Sequence, residues 1–238
     1  MQGAFQIVSS YTTASSELLG ALPKGELKKL MPDLETVNLA FGQVLHQPHQ
    51  RIEHVYFPVN AMVSLLTSVD ADRAAESALV GPEGMVGVAV ALGMAASPFL
   101  AIVSVGGQGM RMKASALRQH VARRPVLQRE LLRYTGLLMA QVAQTAACNR
   151  FHLVTERMAR WLLTTRDRVH SGEFRITQEF HARMLGVRRV GVTEAAMSLQ
   201  QRKLIAYNRG NMVILDHRGL TAAACSCYKV VKDIYLQS

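Results

Sequence analysis

The chain has 238 residues, 49% of them hydrophobic, and a formal net charge of +10, enough length for two cored domains. No apolar run approaches the ~20 residues of a membrane span, and Met1–Ser10 lacks a basic leader and long apolar core, so no signal peptide is expected. Three cysteines, at 148, 225 and 227, do not make a secreted disulfide framework, and a cytoplasmic location is expected.

Residues 1–24 show no strong period and are expected to form a loose lead-in ending near Pro23. From about Leu39 to Met112 short β-like runs alternate with turn residues. Strands are predicted at His54–Val59, Met62–Val69, Ser77–Val80, Phe99–Val105 and Gly109–Met112, with turns at Asn60-Ala61, Asp70-Ala71-Asp72 and Gly81–Gly84. Many short strands with regular turns predict a small barrel or roll. Ala114–Arg124 then predicts a short helix, and Pro125 opens a second, where its missing N–H costs nothing. That helix runs to about Asn149, roughly 37 Å at 1.5 Å per residue. Leu127, Leu131, Tyr134, Leu138 and Val142 form one apolar stripe, with Leu132, Met139, Ala143 and Ala146 beside it. Two stripes exceed what packing on one small roll requires, so a dimer interface is expected along the first. Phe151–Arg168 predicts another amphipathic helix, with Leu153, Met158, Trp161 and Leu162 apolar.

Ile176–Ile205 reads as a helix-turn-helix. Counting from Gln178, Ala182 is fifth, Gly186 ninth and Val192 fifteenth. Ala182 permits close helix approach, Gly186 supplies a positive-φ bend and Val192 anchors the second helix. Val192, Ala195, Ala196 and Leu199 make a narrow buried stripe, while Arg189, Val190, Thr193, Glu194 and Met197 point away from it. Such a helix, led by Arg188 and Arg189, has the form that enters the DNA major groove. Leu204–Tyr207, the Asn208–Asn211 turn and Met212–Leu215 read as a hairpin wing, with Gly210 and its flanking Asn residues suited to positive φ. Asp216–Leu220 leads into a final helix through Tyr228 and Val231. Cys225 and Cys227 fall on that helix two residues apart, where side chains diverge too far for a relaxed disulfide, and simple packing is expected of them over a redox role.

Charge follows the same division. Residues 1–112 carry a net −3, whereas 113–150 and 151–220 each carry +6. A basic rear half is what a polyanion partner requires.

From about residue 30 onward the chain resembles the Crp/Fnr family of bacterial transcription regulators. The match rests on Ile176-Thr-Gln-Glu, Leu185-Gly-Val187, Arg189, Val192, Leu199, Leu204-Ile205, Ile214-Leu-Asp216 and Gly219-Leu220, and on Arg123-Arg-Pro-Val-Leu127 at the entry to the family's dimer helix. The resemblance implies an α+β chain with four parts: a lead-in over 1–24, a jelly-roll-like, cyclic-nucleotide-type β-roll over 25–112, a short helix and long dimerisation helix over 113–150, and a winged helix-turn-helix over 151–238. It implies a homodimer that reads a near-palindromic operator in double-stranded DNA. Arg189, Val190, Thr193 and Glu194 would face bases, and Thr177, Gln178, Arg188, Lys203 and Arg209 would hold phosphates. RNA polymerase is a candidate further partner.

Departures from the family narrow this expectation. Arg188 stands where the family usually has a capping Ser, and of the usual reading trio only Arg189 survives, beside Val190 and Glu194. The family's cyclic-nucleotide binders use a Gly-Glu-Leu turn for the ribose and an Arg-Ser pair for the phosphate. Here the corresponding stretches are Gly84–Val88 and Ala96–Leu100, without that Glu or Arg, and Val142 and Ala143 replace hydroxyl residues on the dimer helix. Control by cyclic AMP is therefore not expected, and any other effector would meet Val88, Phe99, Val142 and Ala143. An iron–sulfur cluster of the usual thiolate count has no cysteine in the front half to hold it. His46, His49 and His54 are expected as polar loop residues, and no metal or cofactor is expected. No phosphate loop or nucleophile–base set appears, so the chain does not read as an enzyme. The other class compatible with the residues is an interaction module that keeps the fold and binds DNA only weakly and unselectively.

Overall fold

The computed structural model describes residues 16–68, 70 and 73–236. The chain divides into two compact units: residues up to Leu65 with Leu79–Gly136, and Leu66–Ala78 with Leu137 onward. Most of the expected lead-in lies outside the described residues, as do Val69, Ala71 and Asp72 of the predicted strand end and turn.

In the described part of the expected lead-in, α1 (Glu17–Gly20) is helical where no regular element was expected, and α2 (Lys24–Leu30) follows it. Leu18, Leu19 and Leu30 are buried, which explains why so short a stretch is ordered. Seven strands follow: β1 (Glu35–Leu39), β2 (Val44–His46), β3 (His54–Pro58), β4 (Met62–Ser68), β5 (Ala74–Val80), β6 (Leu100–Val105) and β7 (Gly107–Lys113). One sheet has the order β1-β7-β3, the other β2-β6-β4-β5. All predicted strands are present within a few residues. The two that sequence reading passes over are β2, three residues long, and most of β1, in which only Leu39 is buried. With so little buried surface they show neither alternation nor an apolar run. In contrast, β6 is buried at every position and reads directly from its apolar run. The expected β-roll is the architecture found.

After α3 (Ala114–Arg123), α4 spans Pro125–Phe151, two residues beyond the expected end, so the next helix begins later, as α5 (Val154–Val169). Of the apolar residues noted for this helix, Leu153 precedes α5 and is exposed, while Met158, Trp161 and Leu162 are buried. In the second unit β8 (Glu173–Arg175), α6 (Gln178–Leu185), α7 (Arg189–Gln201), β9 (Ile205–Asn208) and β10 (Asn211–Ile214) follow. The strand order β8-β10-β9 makes a three-stranded wing. Two helices close the chain, α8 (His217–Ala223) and α9 (Cys227–Leu236), where one was expected. The Asp216 carboxylate accepts from Gly219 N–H at 3.0 Å and caps the first of them.

Candidate nucleic-acid interface

The helix-turn-helix forms as its spacing predicts. Gly186 ends α6 at φ 62°, Ala182 is buried between the helices, and Val192 is wholly buried. A Cβ at Gly186 would stand 2.9 Å from the Ala75 Cβ, so this turn needs glycine for space as well as for conformation. Thr177 caps α6 by accepting from Phe180 N–H at 3.1 Å. Arg157, buried on α5, donates to the Leu185 carbonyl at the other end of the same helix.

On α7 the residues Val192, Ala195, Ala196 and Leu199 are buried. Arg188, Arg189, Glu194, Met197 and Val190 are exposed, the last at 59%. Arg188 takes the position before α7 with no side-chain cap, as its departure from the family's Ser implies. Thr193 makes contacts inside the motif. It is half-buried, with its hydroxyl 3.1 Å from the Arg189 carbonyl and 3.2 Å from Gln178 Oε1. A single hydroxyl proton serves one of these at a time, so Thr193 and Gln178 brace α6 against α7. Arg183, Arg188 and Thr177 line one groove of about 740 Å³.

The wing turn corrects one detail. Arg209 (φ 48°) and Gly210 (φ 87°) are the two left-handed residues, not the flanking Asn208 and Asn211, which pair with each other across the hairpin. Two central residues with positive φ make the turn compatible with strand twist. A non-glycine residue there carries some strain, and the arrangement leaves Arg209 exposed at the wing tip. Lys203, also exposed, holds φ 57° just after α7.

Behind this surface, Trp161 is 1% exposed, with Phe174 at 6.2 Å and His181 at 4.8 Å between ring centroids. Its Nε1–H donates to the buried Glu76 carboxylate at 3.1 Å. Nothing in the sequence signals that pairing. His181 is 1% exposed and its Nε2 lacks a hydrogen-bond partner. Burial pulls its pKa down to about 3. In the unfolded chain histidine titrates near ~6.5, so below that pH the unfolded state binds the extra proton. The stability held at neutral pH is therefore lost as the pH falls from about 6.5 towards 3, by about 1.4 kcal/mol per unit. Urea unfolding at pH 7 and pH 5 should differ by about 2 kcal/mol more in the wild type than in His181→Gln. Equal pH dependence in the two proteins would show that this ring is not held neutral.

Leu127, Leu131, Tyr134 and Leu138 are 1–7% exposed within a single chain. Their stripe packs within the chain, and of that set only Val142 is half-exposed. The face of α4 that remains open carries Leu132, Gly136, Met139, Ala143 and Ala146, with Leu132 at 50% and Met139 at 68% exposure. Of the suggested effector contacts, Val88 and Phe99 are half-buried in the first unit, while Val142 and Ala143 belong to the second. In the first unit the Tyr134 ring covers the turn at Gly84: a Cβ there would lie 2.4 Å from it, and its hydroxyl donates to the Met85 carbonyl at 3.2 Å. His46 is buried on β2, its Nε2 at 2.8 Å from the His54 carbonyl, and the three neighbouring histidines form no common site among the described residues.

Cys225 and Cys227 are buried in one cluster with Cys148, as the packing expectation has it, but one placement differs. Cys225 lies in the link before α9, not on the helix, so the divergence argument does not apply. Its Sγ is 3.5 Å from that of Cys148. Hydrogen bonding with Cys225, with Arg160 nearby, holds the Cys148 thiol below the usual thiol range, while Cys225 is pushed up in turn.

The family model of a Crp-like helix-turn-helix domain matches residues 156–223. Among solved structures, FixK2 from Bradyrhizobium japonicum is similar with a TM-score of 0.68 at 15% identity, over 81% of this chain and 98% of that one. TTHA1359, a Crp/Fnr-family transcriptional regulator from Thermus thermophilus, gives 0.63 at 20% identity, over 80% and 98%. The c-di-GMP responsive global regulator CLP of Xanthomonas campestris gives 0.66 at 14% identity, over 82% and 100%. Comparison with curated proteins gives no match. No helix among the described residues is long and apolar enough to cross a membrane. Residues 156–223 are thus a Crp-like helix-turn-helix domain, carried by a chain with the Crp/Fnr fold.

Proposed function

We propose that the protein is a homodimeric, sequence-specific DNA-binding transcription regulator that presents α7 to the major groove. The observation that carries this reading is the division of α7 into a fully buried face and an exposed one led by Arg188 and Arg189. Arg189, Val190 and Glu194 are the base readers, Arg188, Lys203 and Arg209 the phosphate contacts, and Thr177 and Gln178 set the start of α6. An arginine on guanine O6 and N7 contributes about 1–3 kcal/mol of discrimination. Arg189→Ala should therefore relax preference at one base pair per half-site by about that amount, measured by binding to a panel of single-base operator variants. Equal weakening on every sequence would assign Arg189 to phosphate alone.

Dimerisation is assigned to the open face of α4. Leu132, Gly136, Met139, Ala143 and Ala146 recur at helical spacing along one side, and small residues among them permit close helix approach. A two-fold pair then places its recognition helices about 34 Å apart, one turn of DNA, and faces a near-palindrome. Independence from cyclic AMP is supported by the missing Glu and Arg and by Tyr134 standing over Gly84, where the family's nucleotide binders carry their ribose-contacting turn. A phosphate there would lack its charge-assisted bidentate partner.

A further inference from the structure

All three cysteines of the chain meet at one place, and a histidine joins them. Cys148 lies in the last turn of α4, and His152 follows four residues later, its backbone N–H still donating to the Cys148 carbonyl at 3.1 Å. Residues four apart in a helical turn share a face, so the two side chains emerge together. Cys225 sits in the link between α8 and α9, and Cys227 is the first residue of α9. From these two distant stretches the three Sγ atoms and a ring nitrogen all come within 4.8 Å of one another. Cys148 and Cys225 are 3.5 Å apart, and Cys227 Sγ is 3.6 Å from His152 Nδ1.

Those separations fit a single tetrahedral ion. With Zn–S near 2.3 Å and Zn–N near 2.0 Å, a tetrahedron sets its donors roughly 3.5–3.8 Å apart. A cluster of several irons separates its thiolates by the metal atoms between them and needs a wider cage. Four protein donors also close the coordination sphere, the pattern of a structural site.

The surroundings fit the charge that results. Three thiolates on a dication leave one negative charge out of water. Arg157 and Arg160 of α5, each 6% exposed, both interact electrostatically with Cys148, and the Nε of each has no hydrogen-bond partner. Buried guanidinium groups are costly unless an anion lies close. The thiolate set supplies that anion. Gln144 adds an outer contact, donating from Nε2 to Cys227 Sγ at 2.9 Å, the type of support that orients metal ligands.

We propose that Cys148, His152, Cys225 and Cys227 bind one zinc ion, which fastens the C-terminal helix α9 to the end of α4. A disulfide between Cys148 and Cys225 would use two of the four donors and leave His152 and Cys227 without a purpose; the zinc site uses all four.

The full chain, purified without chelators, should contain one zinc per chain by elemental mass spectrometry. Replacement by cobalt(II) should give the visible bands of a tetrahedral ion with sulfur-to-cobalt charge transfer. Cys225→Ser should lose the metal, while Gln144→Leu, which keeps all four ligands, should bind zinc about 10–100-fold more weakly. The wild-type content decides the matter even if Cys225→Ser fails to fold. A folded wild-type chain without zinc and without a cobalt spectrum overturns the proposal. Several irons with sulfide, or a Cys148–Cys225 disulfide in protein kept from air, overturns it equally.

Discussion

Raising monovalent salt from about 50 to about 200 mM should weaken operator binding at least about a thousand-fold. Arg188, Lys203 and Arg209 are all exposed, at the start of α7, just after it and at the wing tip. With three cations from each protomer, a dimer neutralises about six phosphates, and log K should fall against log salt with a slope near −5. Arg209→Ala should reduce that slope by about 2, one unit per protomer, without changing which sequence is preferred. A slope near zero would remove phosphate binding from this surface and favour an interaction module that retains the fold without reading DNA.

Trp161→Ala should destabilise the second unit by about 3–5 kcal/mol, the range for emptying a large aromatic site. Trp161 is 1% exposed and fills the space beside Phe174 and His181. Its removal also takes a donor from the buried Glu76 carboxylate. Trp161→Phe separates the two effects: it keeps most of the volume and loses the hydrogen bond, for about 1–3 kcal/mol. Since Trp161 is the only tryptophan, urea unfolding followed by circular dichroism is the suitable measurement. A loss below about 1 kcal/mol for the alanine variant would show that the site collapses around the gap.

The helix-turn-helix was legible because its signals are local. Ala182, Gly186 and Val192 each answer a requirement set within a few residues, and the structure meets all three. The roll was legible for a related reason, since β3, β4 and β6 are apolar runs bounded by turn residues. What escaped depends on contacts distant in sequence. Two apolar stripes on α4 could be read, but which one the chain consumes depends on what packs beside it. The structure buries Leu127, Leu131, Tyr134 and Leu138 and leaves Leu132 and Met139 open.

Glu76 and Trp161 are 85 residues apart, and neither residue type announces the other. The cysteines show the same limit more sharply. Cys225 and Cys227 invite a local reading, yet they meet Cys148 and His152 at the end of another helix. The signal available was the spacing Cys148-x₃-His152, which places two metal-type ligands on one helical face. It gains meaning only when the second pair is brought beside it.

The most direct test of DNA reading by a two-fold pair is selection of duplexes from a random pool, followed by comparison of the selected and scrambled sequences on protein of measured mass. Expected are a dimer in solution, a recovered motif with two inverted half-sites about 10 base pairs apart, and binding to it at least about a thousand-fold tighter than to the scrambled duplex. A folded monomer, or equal affinity for both duplexes, would contradict that reading.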